Sequence, residues 1–405
     1  MLKAEPLNLA LGATSLLPPI TGIGRYTQAL VRGLETQGHH VDLFYGGHWA
    51  DAADEAQTRV PLAGSRWTPK RIANGVKLRL EIAARRTLKA VLPNPRDFSR
   101  KLQQRQFTRG LPTPKPHLYH EPNYLAWQFD GPTVISAHDI SWIRYPQAHP
   151  GERLHVMDTY FPESLARADA VLVGAQFVRD ELIEHFNVAP ERLHVTPYGV
   201  SESFRPCTPQ ELAQWLPAHQ LTERGYFLAV GTLEPRKNLI TVIRAHARLA
   251  PSVRDRYPLV LVGTRGWLNE ELDAEIARAA EGGRIRWLGY VEEAALPALT
   301  AGALATVYPS LYEGFGFPPL ESMACGTPVL ASDRASIPEV VGDAGLLCEA
   351  LDVDAFSAGM TRLIEDHAWR NDLAVRGLAR AKTFTWAATA AATEQVYRKV
   401  LAGRR

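Results

Sequence analysis

Cysteine and long apolar runs are both scarce in this sequence. Its 405 residues include only Cys207, Cys325 and Cys348, which neither pair up evenly nor have the spacing of a metal site. This usage favours a reducing compartment, the cytosol. No apolar run reaches about 18 residues, so we expect no transmembrane helix. The N-terminus also lacks the pattern of a signal peptide, and Leu7–Ala13 is better explained as a first strand.

Low-complexity tracts and short-period repeats are absent from the sequence as well. Hydrophobic residues make up 46% of the chain and charged residues 22%, which is the balance of a soluble globular protein. A chain of this length is too long for one compact core and suits two domains of ordinary size.

The small net charge of +2 hides a basic segment, Arg66–Arg109, with 13 Lys and Arg residues and only 2 acidic ones. Its local charge of +11 leaves −9 for the rest of the chain, which predicts an anionic partner. Apolar residues at near-helical spacing would form one face of this segment: Ile72, Val76, Leu80, Ala84, Leu88 and Val91. We therefore expect binding to an anionic membrane surface rather than to nucleic acid. A charged surface helix packed on its domain is the alternative.

The first half of the chain alternates short β-branched runs with helical stretches. Candidate strands are Leu7–Leu11, Val41–Tyr45, Leu118–His120, Thr133–Ala137, Ala170–Gly174 and Leu193–Thr196. Several are near-continuous apolar runs, as expected for parallel strands buried on both faces. Helix candidates such as Arg25–Thr36 and Phe177–Phe186 separate them, which predicts right-handed crossovers and a doubly wound α/β sheet.

A turn-rich stretch from Pro197 to Pro217 interrupts this alternation, which then restarts. The new candidate strands are Tyr226–Val230, Leu259–Val262, Ile285–Leu288, Ala305–Tyr308, Val329–Ala331 and Leu346–Cys348. We predict a first domain of residues 1–205, with a basic insert at 66–109, and a second domain of residues 206–385. Residues 386–405 contain a last helix candidate, Trp386–Leu401.

The run EGFGFPPLE, from Glu313 to Glu321, carries the most information about function. It follows an apolar strand, so Glu313 falls in the loop at the strand's carboxyl end and Glu321 falls inside the next helix. Open parallel sheets bind ligands at this edge. Gly314 and Gly316 flank Phe315 and suit a backbone that approaches a ligand closely. A capping glutamate followed by a solvated helical glutamate is the alternative.

Glycines also mark the loop between the first strand and the first helix. Gly22 and Gly24 expose backbone N–H groups at a helix N-terminus, which suits a phosphate or diphosphate. The pattern fails as a dinucleotide fingerprint, because Thr27 stands where the third glycine belongs and no acidic residue ends the second strand at Tyr45. A plain loop turn is the alternative.

Further polar residues follow strands on both halves of the chain. Arg236 and Lys237 come after the strand that ends at residue 230, where two cations can neutralise a leaving diphosphate, with a solvated turn as the alternative. His138, followed by Asp139, can hydrogen-bond a hydroxyl of a bound substrate, although core histidines are also common at strand ends. His120, Glu121 and Asp139 are candidates for contacting a second substrate, which would be the acceptor of a transferred group.

An Asp-x-Asp pair, Asp352 and Asp354, has the form of a divalent-metal site. It directly precedes the helical pattern Ala355–Ile364, and Asp354 is placed to cap that helix. We therefore predict helix capping here and no metal site in the protein.

Three segments together resemble retaining glycosyltransferases of family 4, which have two facing Rossmann-like domains (the GT-B fold) and include bacterial polysaccharide mannosyltransferases. The segments are GTLEPRKNL (Gly231–Leu239), YPSLYEGFGFPPLESMACGTPVLAS (Tyr308–Ser332) and SIPEVVGDAGLL (Ser336–Leu347). The resemblance covers nearly the whole chain. It implies a cleft with the acceptor site mainly on the first domain and the nucleotide-sugar on the second, and a last helix that returns to the first domain.

The resemblance also implies roles for single residues around the nucleotide. Glu321 would bind the ribose hydroxyls, and Tyr290 with Val291 would abut the base. Thr232 stands where many relatives carry an arginine just after the glycine, so Arg236 and Lys237 would hold more of the diphosphate.

Other implied roles concern the transferred sugar. Glu313 and the glycine-rich backbone of Gly314, Phe315 and Gly316 would lie near it, and His138 would lie beside it. The loop of Gly22 and Gly24 would face the donor diphosphate and the acceptor. No cofactor and no metal ion is implied.

The implied reaction transfers a hexose, with retained anomeric configuration, from a nucleotide-diphosphate sugar to a lipid-linked or saccharide acceptor. Mannose or a related deoxyhexose from a GDP-sugar is favoured, in the assembly of bacterial surface polysaccharide such as the lipopolysaccharide O-antigen. The enzyme would then lie on the cytoplasmic face of the inner membrane. A nucleotide-sugar epimerase, or a non-catalytic protein that binds nucleotide-sugars, could share the architecture and stays open as an alternative.

Overall fold

The computed structural model describes residues 5–18, 20–52, 95–266, 270–280 and 284–403. Its strands are β1 (Asn8–Gly12), β2 (His40–Phe44), β3 (Trp49–Asp51), β4 (Leu118–Glu121), β5 (Thr133–Ser136), β6 (Ala170–Val173), β7 (Leu193–Val195), β8 (Phe227–Val230), β9 (Leu259–Val262), β10 (Ile285–Gly289), β11 (Ala305–Tyr308), β12 (Val329–Ser332) and β13 (Leu346–Cys348). They form two sheets, with the strand orders β3-β2-β1-β4-β5-β6-β7 and β10-β9-β8-β11-β12-β13. In each sheet the chain builds outward to one side of its first strand, β1 or β8, and then to the other side, as in a doubly wound Rossmann-like sheet.

Helices connect these strands. They are α1 (Gly22–Thr36), α2 (Pro95–Arg109), α3 (Ser141–Arg144), α4 (Gly151–Arg167), α5 (Gln176–Phe186), α6 (Pro209–Trp215), α7 (Leu239–Ala247), α8 (Pro251–Arg256), α9 (Glu270–Ala280), α10 (Leu296–Ala301), α11 (Phe317–Ala324), α12 (Ile337–Val341), α13 (Val353–Glu365), α14 (His367–Ala381) and α15 (Trp386–Gly403). The α/β class with two doubly wound parallel sheets, predicted from the alternation of strands and helices, is confirmed.

The second sheet is buried on both faces, and this burial explains its continuous apolar strands. Neighbouring residues of β8 point to opposite sides: Phe227 packs in one apolar cluster with Val242 of α7, and Leu228 packs in another with Leu299 of α10. Each such side chain contributes about 1.5–3 kcal/mol when it is fully buried. The two clusters thus cover opposite faces of the sheet whose carboxyl edge carries the loops after β8 and β11.

One strand of the first sheet, β3, was not predicted from the sequence. β3 has only three half-buried residues and pairs antiparallel with β2, opposite Asp42, Leu43 and Phe44. Its residues Trp49, Ala50 and Asp51 do not form the apolar run that marks most of the other strands.

The residue that caps helix α13 differs from the prediction. Asp352, not Asp354, caps α13, because its side chain accepts a hydrogen bond from the backbone N–H of Ala355 at 2.9 Å. Asp354 lies in the first turn and forms an ion pair with Arg248. The prediction that the Asp-x-Asp pair caps a helix is confirmed, but the choice of Asp354 as the cap was wrong.

The basic segment is described only from residue 95 onward, where it forms α2. The apolar stripe predicted from Ile72 to Val91 lies outside the described residues. No helix in the part of the chain that the structure describes is long and apolar enough to cross a membrane.

Backbone contacts group the chain into two compact units. One consists of Met1–Ile135, Arg167–Asp169 and Tyr397–Arg405, and the other of Ser136–Ala166 and Ala170–Val396. The division into domains at residues 205 and 385 stays a prediction.

Candidate functional site

The carboxylate of Glu313 is buried at the carboxyl end of β11. Its Oε1 atom accepts hydrogen bonds from Lys237 Nζ at 2.6 Å, Ser310 Oγ at 2.6 Å and the Tyr308 hydroxyl at 2.8 Å. Its Oε2 atom lies 3.2 Å from Nη1 of Arg236. The side chains of Arg236 and Lys237 are only 15% and 13% exposed, so the whole cluster is shielded from water. Glu313 is therefore not a helix cap, and its cations do not form a solvated turn.

These cations set the charge of Glu313. Burial by itself would raise the pKa of the carboxyl, but the charges of Lys237 and Arg236 and the hydrogen bonds outweigh it and lower the pKa to about 2. Burial also opposes the charge of Arg236, while the carboxylates of Glu313 and Glu234 raise its pKa. Arg236 and Glu313 are thus ionised at neutral pH.

A turn between β8 and α7 supplies both cations. The short 3-10 helix Pro235–Lys237 places Arg236 and Lys237 side by side at the carboxyl edge of the sheet. Nη2 of Arg236 lies 2.6 Å from Oε1 of Glu234, and Nη1 donates to the carbonyl of Tyr312 at 2.5 Å. The guanidinium therefore holds its own turn and the loop after β11 together.

Gly314 lets the Glu313 loop approach the loop that follows β5. A Cβ atom at position 314 would lie 1.8 Å from the carbonyl oxygen of His138 and 2.9 Å from Cβ of Asp139, so only glycine fits. Oγ of Ser336 lies 2.8 Å from the carbonyl oxygens of both Glu313 and Phe315 and holds the loop from the other side.

His138 and Asp139 have fixed partners in this loop. Nδ1 of His138 lies 2.7 Å from the hydroxyl of Tyr198. The ring of Tyr198 in turn packs on Phe315, with centroids 4.9 Å apart, so the Phe315 side chain belongs to an aromatic cluster. Oδ1 of Asp139 accepts hydrogen bonds from the backbone N–H and the hydroxyl of Ser141, at 3.1 and 2.9 Å. The loop thus presents His138 in one orientation beside Gly314.

A network through Tyr312, which was not predicted from the sequence, joins the same two loops. The backbone N–H of Ile140 donates to the Tyr312 hydroxyl at 2.9 Å, and the hydroxyl donates to Oε2 of Glu181 at 2.6 Å. Nε of Arg144 donates to the other oxygen of Glu181 at 2.7 Å. Burial raises the pKa of Glu181 although both hydrogen bonds oppose it. The position of Tyr312 next to Glu313 was the one available sequence signal.

The remaining donor-side candidates lie on neighbouring elements of the second sheet. Glu321 is half-buried on α11, whose N-terminus follows Gly316 with a φ of +112°. Thr232 is exposed after β8. Tyr290 follows β10 with 76% of its surface exposed, and Val291 beside it is half-buried.

The glycine loop belongs to the first sheet. Gly22 begins α1, and the cap residue Thr21 makes no side-chain hydrogen bond to the helix. A Cβ at Gly24 would lie 2.4 Å from the carbonyl oxygen of Ser15, so close backbone packing by itself requires this glycine. A role toward phosphate stays a prediction for both glycines.

His120 and Glu121 end β4 and are both buried. Nδ1 of His120 lies 2.6 Å from the hydroxyl of Tyr397 in α15. Glu121 accepts hydrogen bonds from the Tyr119 hydroxyl at 2.7 Å and the Asn123 backbone N–H at 3.1 Å. Burial nevertheless raises the pKa of Glu121 to about 7. These contacts give both residues a packing role, and a role toward the acceptor stays a prediction.

The structure thus brings together a subset of the predicted residues: His138, Asp139, Arg236, Lys237, Glu313 and Gly314. Within the described ranges, no group of three or more His, Cys, Asp or Glu side chains could hold a metal ion. The cluster combines a buried carboxylate with two cations at the ligand-binding edge of a Rossmann-like sheet, an arrangement suited to a substrate with a charged diphosphate.

Comparisons with known proteins identify the family of the chain. Residues 20–204 match the family described as Glycosyltransferase Family 4, and residues 214–379 match Glycosyl transferases group 1. The chain is 38% identical over 371 residues to O-antigen chain mannosyltransferase B of Escherichia coli. The aligned region covers 91% of this chain and 93% of that protein.

Solved structures show the same fold. Sucrose-phosphate synthase from Thermosynechococcus elongatus superposes with a TM-score of 0.72 over 98% of this chain and 100% of its own, at 22% identity. An Anabaena protein in complex with UDP and glucose superposes with a TM-score of 0.68 and 18% sequence identity. The superposition covers 97% of this chain and 99% of the Anabaena chain.

The fold and the family matches define a glycosyltransferase of the GT-B class. The chain belongs to glycosyltransferase family 4, and the resemblance found in its three sequence segments is confirmed.

Proposed function

We propose that this glycosyltransferase moves mannose or a related deoxyhexose from a GDP-sugar to a lipid-linked or saccharide acceptor in bacterial surface polysaccharide assembly. The observation that carries the transfer chemistry is the buried ion cluster of Glu313 with Lys237 and Arg236. The choice of mannose rests on the 38% identity to an O-antigen mannosyltransferase over 91% of the chain.

Lys237 and Arg236 would stabilise the leaving diphosphate. Breaking the glycosidic bond places negative charge on the phosphate, and cations that are already fixed stabilise it without reorganisation. Glu313 and the Tyr308 hydroxyl occupy two of the three N–H groups of the Lys237 ammonium, so the third can serve a phosphate oxygen.

Retention of anomeric configuration needs either a nucleophile or attack on the face from which the phosphate leaves. Both oxygens of Glu313 are occupied by cations and hydroxyl donors, and its pKa of about 2 makes it a poor base. We therefore favour departure and attack on one face, with the phosphate taking the acceptor proton.

The other donor contacts follow from position and resemblance. Glu321 would bind the ribose hydroxyls, and the exposed ring of Tyr290, beside Val291, would stack on the base. His138, fixed by Tyr198, would bind a hydroxyl of the transferred sugar. The acceptor would meet the loop of Gly22 and the carboxyl end of β4.

We also propose that the protein binds an anionic membrane on its cytoplasmic face. The exposed side of α2 carries Phe98 and Leu102, one helical turn apart, together with the exposed cations Lys101, Arg105 and Arg109. Apolar side chains framed by cations are typical of a helix that lies in a membrane surface, where each cation contributes on the order of 1 kcal/mol.

Turnover assays test the transfer reaction. The protein is incubated with GDP-mannose or UDP-glucose, with and without methyl α-mannoside, and free nucleotide is measured. Release that increases with the mannoside supports a transferase, whereas sugar conversion that needs no acceptor would indicate an epimerase and no turnover a binding protein. Thermal shifts with UDP, GDP, ADP and dTDP identify the base, since a specific nucleotide in large excess stabilises by a few kcal/mol. Stabilisation by UDP but not by GDP would overturn the choice of a GDP-sugar.

Liposome sedimentation tests the membrane surface. We expect recovery with anionic vesicles at low salt and release at high salt, because cations and anionic lipids attract only within a Debye length. Changing Lys101, Arg105 and Arg109 to glutamine should lower recovery at a given salt concentration and leave nucleotide binding unchanged. Equal recovery with neutral vesicles would contradict the proposal.

A further inference from the structure

Helix α5 begins without a capping side chain of its own. Its N-cap residue is Ala175, whose methyl group cannot accept a hydrogen bond from the first turn. The carboxylate of Glu339 in α12 takes this role. Its Oε2 atom accepts from the backbone N–H of Gln176 and its Oε1 atom from that of Phe177, both at 2.7 Å. A carboxylate also suits the positive end of the helix dipole. The start of α5 is thus bound by a segment far away in the sequence.

The segment that carries Glu339 also holds the Glu313 loop. The hydroxyl of Ser336, three residues earlier, lies 2.8 Å from the carbonyl oxygens of both Glu313 and Phe315. Arg380 of α14 fixes the same segment, because its Nη2 atom donates to the Glu339 carbonyl at 2.6 Å. The first residues of SIPEVVGDAGLL therefore bind the Glu313 loop and α5 at once.

Helix α5 in turn contacts the residue next to Glu313 at two points. The Tyr312 hydroxyl donates to Oε2 of Glu181 at 2.6 Å, and the ring of Phe177 packs on the ring of Tyr312 with centroids 5.8 Å apart. Phe177 thus joins the two ends of this chain of contacts, because its N–H binds Glu339 and its ring bears on Tyr312. All of these residues belong to the same compact unit.

We propose that Glu339 is a positioning residue for the transfer reaction, acting through α5 and Tyr312 on the Glu313 loop. The inference rests on the proposed function and adds this residue to it. Without the carboxylate, the first N–H groups of α5 turn to water and the helix loses the contact that fixes it against α12. The Phe177 ring then shifts against Tyr312, and Glu313 is held less exactly while charge develops on the leaving phosphate.

The first test compares Glu339→Ala and Glu339→Gln with the wild-type enzyme. Ala removes both hydrogen bonds, whereas Gln keeps one acceptor oxygen and loses the charge. Glu339 is exposed at the surface, so both variants should fold. Initial rates are measured with GDP-mannose and, in parallel, UDP-glucose, with methyl α-mannoside as the acceptor.

We expect a change in kcat without a change in donor binding. A displacement of about 1 Å can cost about a hundredfold in rate, so the smaller shift expected in Glu339→Ala should lower kcat about three- to tenfold. Glu339→Gln should lose less. The KM for the donor and the affinity for the free nucleotide should stay at their wild-type values in both variants, because Glu339 binds α5 and not the donor.

A double-mutant cycle with Tyr312→Phe tests the route of the effect. The Tyr312 hydroxyl joins the Glu313 loop to α5, so a variant without it leaves Glu339 less to act on. Glu339→Ala should therefore lower kcat by a clearly smaller factor in the Tyr312→Phe background than in the wild-type background. Independent effects, whose factors simply multiply, would overturn the route through Tyr312.

Another variant separates positioning from helix stability. Ala175→Ser gives α5 a cap of its own, so it should return the melting temperature of Glu339→Ala toward the wild-type value without restoring kcat. Glu211 provides the matched control, because its carboxylate completes the capping box of α6 with Thr208. Glu211→Ala should lower the melting temperature and leave kcat unchanged.

Two further outcomes overturn the inference. Wild-type kcat in the Glu339→Ala variant would show that the carboxylate does not position the loop. Full recovery of kcat by Ala175→Ser would reduce Glu339 to a helix cap. If the wild-type enzyme turns over neither donor, the proposed function fails before any variant is compared, and this inference falls with it.

Discussion

Lys237 Nζ lies 2.6 Å from Oε1 of Glu313, inside a cluster where both side chains are about nine-tenths buried. The carboxylate also accepts from Ser310 and Tyr308, so the ammonium is positioned by a group that is itself fixed. A cation held this way needs no reorganisation when charge develops on a leaving phosphate.

Lys237→Ala should lower kcat at least about tenfold, because the developing phosphate charge loses its nearest cation. It should also reduce the free energy of unfolding by about 3 kcal/mol, since Glu313 keeps only Arg236 as a buried counter-charge. Adding Glu313→Gln should recover much of the stability but none of the activity. Steady-state kinetics and urea unfolding measure both effects.

The exposed Lys382 at the end of α14 offers a control, since Lys382→Ala should change neither quantity. A Lys237→Ala variant with wild-type kcat under saturating donor would remove Lys237 from the site.

Glu321→Ala should weaken donor binding more than the chemical step. Hydrogen bonds to ribose are present in both the ground state and the transition state, so their loss raises KM and leaves kcat nearly unchanged. Isothermal titration with the nucleotide should show a loss of about ten- to a hundredfold, as expected for hydrogen bonds to a charged group. The exposed Glu365→Ala on α13 serves as the control. Equal affinity in both variants would contradict the ribose assignment.

Gly314→Ala should disrupt the site, because the added Cβ would lie 1.8 Å from the His138 carbonyl oxygen. The two loops must separate by more than an ångström, and a displacement of that size can cost about a hundredfold in rate. Gly151→Ala is the matched control, since a Cβ there meets no atom within 4 Å. Activity and melting temperature of the two variants should diverge, and similar values would show that the loop contact is dispensable.

Tyr312→Phe should loosen the connection between the same loops without removing a charged site residue. The Ile140 N–H and the Glu181 carboxylate both lose a partner, which costs about 1–3 kcal/mol of stability. We expect kcat to fall while nucleotide affinity stays constant. A melting temperature and kcat equal to those of the wild type would show that the Tyr312 hydroxyl does not position the loops.

Local patterns were sufficient to predict most of the architecture from the sequence. The apolar strands, the helices between them and the loop positions of Glu313 and Lys237 follow from periodicity and chain order. The strand β3 was not predicted, because its three half-buried residues form no apolar run and pair antiparallel with β2.

Contacts between distant residues could not be predicted in the same way. The pairing of Glu181 with Tyr312 joins positions 131 residues apart, and the hydrogen bond of His120 to Tyr397 joins positions 277 apart. Each of these side chains has an ordinary local pattern, and only the folded chain shows what it binds. The cap of α13 was missed by two residues for a related reason, because Asp352 and Asp354 both suit a first turn until backbone geometry selects one.

Glu121 gives the enzyme a stability that depends on pH. Burial raises the pKa of this carboxyl from 4.5 to about 7, so the folded state holds a proton that the unfolded chain has released. The contribution of the neutral carboxyl is fully present below pH 4.5 and is lost as the pH rises toward 7. Linkage converts the shift into a loss on the order of 3 kcal/mol.

Glu121→Gln should abolish this dependence, because the amide keeps the shape of the neutral carboxyl and cannot ionise. The free energy of unfolding of the variant minus that of the wild type should therefore rise by about 3 kcal/mol between pH 4.5 and pH 8, whatever its absolute value. Urea unfolding at a series of pH values measures the difference, and the exposed Glu202→Gln should reproduce the wild-type profile. A constant difference between Glu121→Gln and wild type would mean that the pKa of Glu121 is the same in the folded and the unfolded protein. Glu121 would then be charged at neutral pH and available to an acceptor.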